Sequence, residues 1–166
     1  LKVVMPSTAA DAKGLMATAI RDDNPVVYLH HYLLTLEHGE VPDGEYLVPF
    51  GEAAVRREGS DVTIVATGWT VDRALGAAET LSAQGIRAEV IDPRTLAPLD
   101  TQTILESVDK TGRLVLVDQA TRHASVSTVI AGEVAEHGFS FRKAPIVQVT
   151  ALDATIPYSE PLEAWV

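Results

Sequence analysis

The 166-residue sequence predicts an α/β protein: an open, mostly parallel, doubly wound sheet preceded by one further βαβ piece. Three observations carry this. From Asp61 onward, apolar runs alternate with stretches of helical spacing. The runs, "VTIVATG" and "RLVLVD" among them, have no polar face, as expected of parallel strands covered on both sides. Each helical stretch is closed by a glycine (Gly85, Gly112, Gly138), the residue most tolerant of the backbone that ends a helix.

The elements follow in order. Leu1 to Met5 reads as a strand, and Ser7-Thr8 offers a helix cap. Ala12, Leu15, Met16, Ala19 and Ile20 keep the spacing of one helix face, and "PVVYLHHYLL" reads as the next strand. This βαβ unit cannot bury its own faces, so it is expected to join strands from an upstream segment or a partner. Residues 37–52 read as a linker, with a strand near Ala53 to Arg57. Val71, Ala74, Leu75, Ala78 and Leu81 then line a helix, "RAEVID" is a strand, and Asp100 caps a helix carrying Ile104, Leu105 and Val108. "RLVLVD", a helix with Val126, Val129, Ile130 and Val134, and the strand "APIVQVT" complete the sheet. The tail "TIPYSEPLEAWV" is expected to cross the surface as extended chain. The expected divisions are residues 1–36, the linker 37–52, and 53–166.

A formal charge of −10 argues against nucleic acid and anionic membranes as partners. No apolar run approaches the roughly 18 residues of a membrane span. With no cysteine, disulfides, thiolate nucleophiles and Cys-ligated metals are excluded. The expected location is the cytoplasm. Because the chain opens at Leu1 directly into a strand, it reads as a piece whose upstream part, with any targeting segment, lies elsewhere.

In such a sheet ligands bind beyond the carboxyl ends of the strands, which here are Gly68-Trp69, Asp92-Pro93-Arg94 and Asp118-Gln119. "ATGWTVDRALG" lacks the glycines of a dinucleotide fingerprint. Asp92 and Asp118, read as neighbouring strand ends, could form the acidic pocket of a receiver or small-ligand module, although Lys143 precedes the last strand instead of following it. The ordinary reading is that each aspartate caps a helix or pairs with an arginine such as Arg94. His30, His31 and His38 lack the spacing of a helical metal site. On a strand, His30 and His31 would face opposite ways, one packed and one polar-facing. His123 and His137 fall near helix ends, and there is no G-x-S-x-G elbow. The turn "AIRDDNP" is different. Carbonyls at the end of a helix, the Asp22 and Asn24 oxygens, and a helix-breaking Pro25 make an oxygen-rich turn suited to a hard cation or to nothing at all.

The stretches "LKVVMPSTAADAKGLMATAIRDDNPVVYL", "GEVPDGEYLVPFGEAAVRREGSDVTIVATG", "EVIDPRTLAPLDTQTILESVDKTGRLVLVD" and "IPYSEPLE" resemble the beta subunit of the thiamine diphosphate-dependent 2-oxo acid dehydrogenases. The resemblance covers nearly the whole chain. It implies that residues 1–36 end a pyrimidine-binding domain and that residues 53–166 form a transketolase-type C-terminal domain. It implies an intact enzyme that decarboxylates a 2-oxo acid on thiamine diphosphate with Mg2+ and passes the acyl unit to lipoyl. The family's catalytic and cofactor-binding residues lie upstream of Leu1, so this chain carries no catalytic and no cofactor-binding residue and is inactive alone. The resemblance also implies a potassium site at Ala19, Ile20, Asp22 and Asn24, mostly through main-chain carbonyls. The implied partners are an alpha subunit, a second beta subunit and the subunit-binding domain of the acyltransferase core. Trp69, Tyr158 and Trp165, in predicted turns or tail, are candidate interface anchors.

Several positions depart from the family pattern. Leu29-His30-His31 stands where a Leu-Glu pair is common, Gln119-Ala120 where Glu-Ala is common, and Val129 in an acidic place. The family's chain also continues past the position of Val166.

Overall fold

The computed structural model describes residues 1–155 and 157–163. The opening run forms β1 (Lys2–Val4), and the helix predicted after it is α1 (Ala9–Arg21). Thr8 caps that helix, its Oγ1 accepting the Asp11 amide at 3.1 Å. The buried face of α1 is Asp11, Gly14 and Leu15, while Met16 and Ile20, predicted on the apolar face, are exposed. They are exposed because strand and linker pack on one side of α1 only.

β2 (Val26–Tyr28) pairs in parallel with β1, Lys2 opposite Val26. It is shorter than predicted. β1 has only three residues to offer, and after Leu29 donates to the Val4 carbonyl the chain leaves the ladder. Tyr32–Leu36 then winds into a 3-10 helix capped by His31, whose Nδ1 accepts the Leu33 amide at 3.3 Å. His30 and His31 therefore do not sit on a strand.

Residues 37–53 hold no helix or strand, yet they are not a free linker. Tyr46 donates its hydroxyl to the Ala10 carbonyl at 2.7 Å, and the Val48 amide donates to the Gly14 carbonyl at 3.3 Å. A Cβ at Gly14 would lie 2.4 Å from Val48 Cγ2, so the close passage of this segment over α1 requires glycine.

The rear sheet has the order β3-β5-β4-β7-β8. β3 (Ala54–Arg57) is antiparallel to β5 (Ala88–Asp92), and β4 (Val62–Ala66), β5, β7 (Leu114–Thr121) and β8 (Val147–Ala151) are parallel. The crossovers reverse direction at β4, so β4 and β7 flank the switch point. α2 (Thr70–Ala83) covers one face with Val71, Ala74 and Ala78. α3 (Thr101–Thr111) and α4 (Val126–His137) cover the other with Ile104, Val108, Ile130 and Val134. Asp100 caps α3, and Gly112 ends it in the left-handed region at φ 74°.

The front strands find a partner within this chain. β6 (Thr95–Ala97) leaves the rear sheet just after β5 and pairs antiparallel with β1, giving a front sheet of order β2-β1-β6. The expectation that β1 and β2 need strands from outside is thus corrected for β1, while β2 remains an edge. The tail is also corrected. It is not extended throughout, since Glu160–Glu163 forms one helical turn, α5. Trp165 lies outside the described residues.

Candidate functional site

At the end of α1 the Asp22 carboxylate is fully engaged. Lys2 Nζ donates to Oδ2, while the Asn24 amide and Asn24 Nδ2 donate to Oδ1 at 2.8 and 3.1 Å. The Lys2 ammonium, with the Asn24 donors, holds this carboxyl down at about 2. The Ala19 carbonyl accepts the Asp22 amide at 3.3 Å. Among the described contacts, the carbonyls of Ile20, Asp22 and Asn24 accept no hydrogen bond. Neighbouring Arg21 turns away, bonded to the Ala17 carbonyl and Glu45. The donor set is therefore neutral carbonyl oxygen beside a neutralised carboxylate. That fits a weakly bound hard cation of low charge.

Asp92 and Asp118 are not neighbours, because β4 lies between their strands. Asp92 is completely buried and accepts from Ser7 and from Arg56, whose Nη2 stands 2.7 Å away. Its backbone partner is Arg94 N–H at 3.0 Å. Arg56 also binds Asp11, which takes Arg94 Nη1 at 3.2 Å on its other oxygen. Burial pushes Asp11 upward, but the bonds from Arg56, Thr8 and Arg94 outweigh it and hold the carboxyl low. Asp92 goes the other way, raised by burial against Arg56 and Ser7. Asp118 caps the start of α4 through Ser125, which donates at 2.6 Å. Both aspartates are thus occupied in pairing and capping, with Arg56 and not Arg94 as the guanidinium partner of Asp92.

A cavity of about 250 Å³ lies where the carboxyl ends of β1, β2 and β4 converge. Thr8, His30, His38, Trp69, Asp72 and Arg73 are among its lining. The packed member of the histidine pair is His31, stacked on Trp69 with ring centres 5.5 Å apart, while Arg73 lies 4.6 Å from the indole centre. Among the described residues, no three His, Asp or Glu side chains are placed to hold a metal ion.

The second cavity, about 300 Å³, is almost wholly apolar and lies on the α2 face of the rear sheet. Val115 and Val117 on β7 register with Val147 and Val149 on β8, and no described helix covers the β8 pair. Val147 and Val149 are half exposed, at 51% and 52%, and Tyr158 is fully exposed.

Residues 51–166 match the transketolase C-terminal domain. The chain belongs to this family. The match begins just before β3 and takes in the whole five-stranded sheet, leaving β1, α1 and β2 outside it. Curated relatives reach further. The beta subunit of the acetoin:2,6-dichlorophenolindophenol oxidoreductase of Cupriavidus necator is 50% identical over 163 residues, 98% of this chain and 48% of that protein. The pyruvate dehydrogenase E1 component subunit beta of Bacillus subtilis is 43% identical over 166 residues, 99% of this chain and 51% of that protein. The chain therefore spans about half the length of the curated relatives it matches. Among solved structures, a split-gene transketolase described as an inactive beta4 tetramer superposes with a TM-score of 0.75 at 29% identity. That likeness covers 92% of this chain and 48% of the other.

Two features of this transketolase C-terminal domain protein escaped sequence reasoning. The Arg56 bridge joins residues 45 and 36 positions apart in the chain, and no local signal announces it. The bare β7–β8 face had no such signal either: "APIVQVT" alternates valine with polar residues, a pattern that would turn the valines inward, yet Val147 and Val149 are the exposed ones.

Proposed function

We propose that this chain is part of the beta subunit of a thiamine diphosphate-dependent 2-oxo acid dehydrogenase, and that its own work is assembly. Residues 1–36 are read as the end of the pyrimidine-binding domain, 37–52 as a packed connector and 53–166 as the C-terminal domain. In the whole enzyme thiamine diphosphate, which would be held with Mg2+ by residues other than these, would supply the electron sink that lets a bond beside a carbonyl break. The names of the relatives fit that chemistry, since pyruvate and acetoin both place the breaking bond next to a carbonyl. The acyl unit would then be handed to a lipoyl group.

The observation that carries the assembly role is the half-exposed Val147–Val149 strip beside an unpaired sheet edge. A bare apolar face next to free backbone donors is costly in water and marks an interaction surface. The proposed partners are an alpha subunit, a second beta subunit and the subunit-binding domain of the acyltransferase core. The turn at Ala19, Ile20, Asp22 and Asn24 is read as a potassium site that stiffens the front sheet. Sedimentation velocity across concentrations, with a decarboxylation assay alongside, tests the reading. Concentration-dependent association without turnover supports it. Turnover of any 2-oxo acid by the purified chain refutes it.

A further inference from the structure

The Asp22 carboxylate is the one formal charge among the four residues of the cation turn, and it is already taken. Lys2 is well placed to hold it. Its backbone is locked in β1, where its amide donates to the Pro25 carbonyl at 3.1 Å, and its ammonium also lies 5.4 Å from the centre of the Phe50 ring. Both Asp22 oxygens carry donors, and the carboxylate side chain is only 13% exposed. What these four residues can still offer an ion is a set of neutral carbonyls. Neutral carbonyls repay the weak hydration of a large monovalent ion. A divalent ion is bound through carboxylates, and its affinity scales with their number.

We propose that Lys2 sets the charge selectivity of this turn, admitting potassium and excluding calcium by neutralising Asp22. This rests on the cation reading of the turn given above. The salt bridge is then more than a surface ion pair, because it decides which ion the neighbouring carbonyls can hold. Removing the ammonium frees one carboxylate oxygen while Asn24 keeps the other, which is the change a divalent ion needs. Lys2→Met therefore gains calcium binding, whereas Lys2→Arg retains the charge and behaves as the parent.

The test is thermal unfolding of the full chain at matched ionic strength in potassium, sodium and calcium chlorides, with calcium titration calorimetry alongside. The parent chain melts higher in potassium than in sodium and does not respond to about 1 mM calcium. Lys2→Met melts higher in about 1 mM calcium, by about 2 °C or more if ligand exceeds Kd several-fold. The double variant Lys2→Met, Asp22→Asn loses that response. If the parent responds to potassium but folded Lys2→Met shows no calcium binding by calorimetry, the selectivity role of Lys2 is wrong and the cation turn stands. If the parent melts identically in potassium and sodium, the cation turn itself falls, and the role of Lys2 with it.

Discussion

Arg56, paired with Asp92 inside the rear sheet, also fastens that sheet to α1 of the front half. The guanidinium reaches the fully buried carboxylate at 2.7 Å and, through the same nitrogen, grips Asp11 at the start of α1. One side chain from the rear sheet thus neutralises a carboxylate from each half. Arg56→Met is expected to strand both carboxylates, and breaking such a buried pair costs about 3–5 kcal/mol. Denaturant unfolding measures it. A loss under about 1 kcal/mol would show that Arg94 and water can take over.

Gly14 carries the contact between α1 and the connector. Gly14→Val forces the Val48 side chain and the Tyr46 ring aside, since even a Cβ there comes within 2.4 Å of Val48 and 2.8 Å of Tyr46. Overpacking of this kind costs about 1–3 kcal/mol. Gly76→Ala is the control, because nothing lies near a Cβ there. A helix-interior glycine replaced by alanine is expected to gain slightly.

Acid is expected to weaken the fold through Asp11 and Asp100, whose carboxyls are held low. In Asp100, burial pushes up and the donors from Ala53 and Thr103 outweigh it. A lowered folded pKa gives stability that is complete above the unfolded value near 3.8 and is lost as pH falls through the folded one. Asp92, raised by burial, works in the opposite sense, since protonation relieves a buried charge. Asp100→Ala is expected to cost about 1 kcal/mol at neutral pH, as a lost cap does, and to flatten the acid limb of a melting-temperature profile. An unchanged acid limb would assign that limb to other carboxylates.

Val149→Lys probes the bare face of the rear sheet. The residue is half exposed, so the isolated chain should keep its stability within about 0.5 kcal/mol. Association seen by light scattering should fall sharply, because the lysine cannot be buried against an apolar partner. Association at parental strength would move the interface elsewhere.

How much was legible in the sequence depended on range. Asp100 before α3 and Gly112 after it are local signals, and both caps stand where the residues put them. β4 and β7 were legible because cover on both faces leaves apolar runs with few polar interruptions. β6 was not legible. Three residues carry no periodicity, and its path depends on Arg94 at φ 59°, a backbone state that residue type does not announce. The Lys2–Asp22 pair and the Arg56 bridge span 20 to 45 residues, so they exist only once the sheets are folded. The "PVVYLHHYLL" run failed for a related reason: β propensity needs a partner strand, and β1 was too short to supply one.

The central claim is that these residues can serve as the assembly half of a decarboxylating beta subunit. It is tested most directly by a chimera in which this chain replaces the matching half of the Bacillus subtilis pyruvate dehydrogenase E1 beta subunit. The account predicts that the chimera co-purifies with the alpha subunit and decarboxylates pyruvate in the presence of thiamine diphosphate. A chimera that folds, by circular dichroism and a cooperative melt, yet neither binds the alpha subunit nor turns over would contradict it.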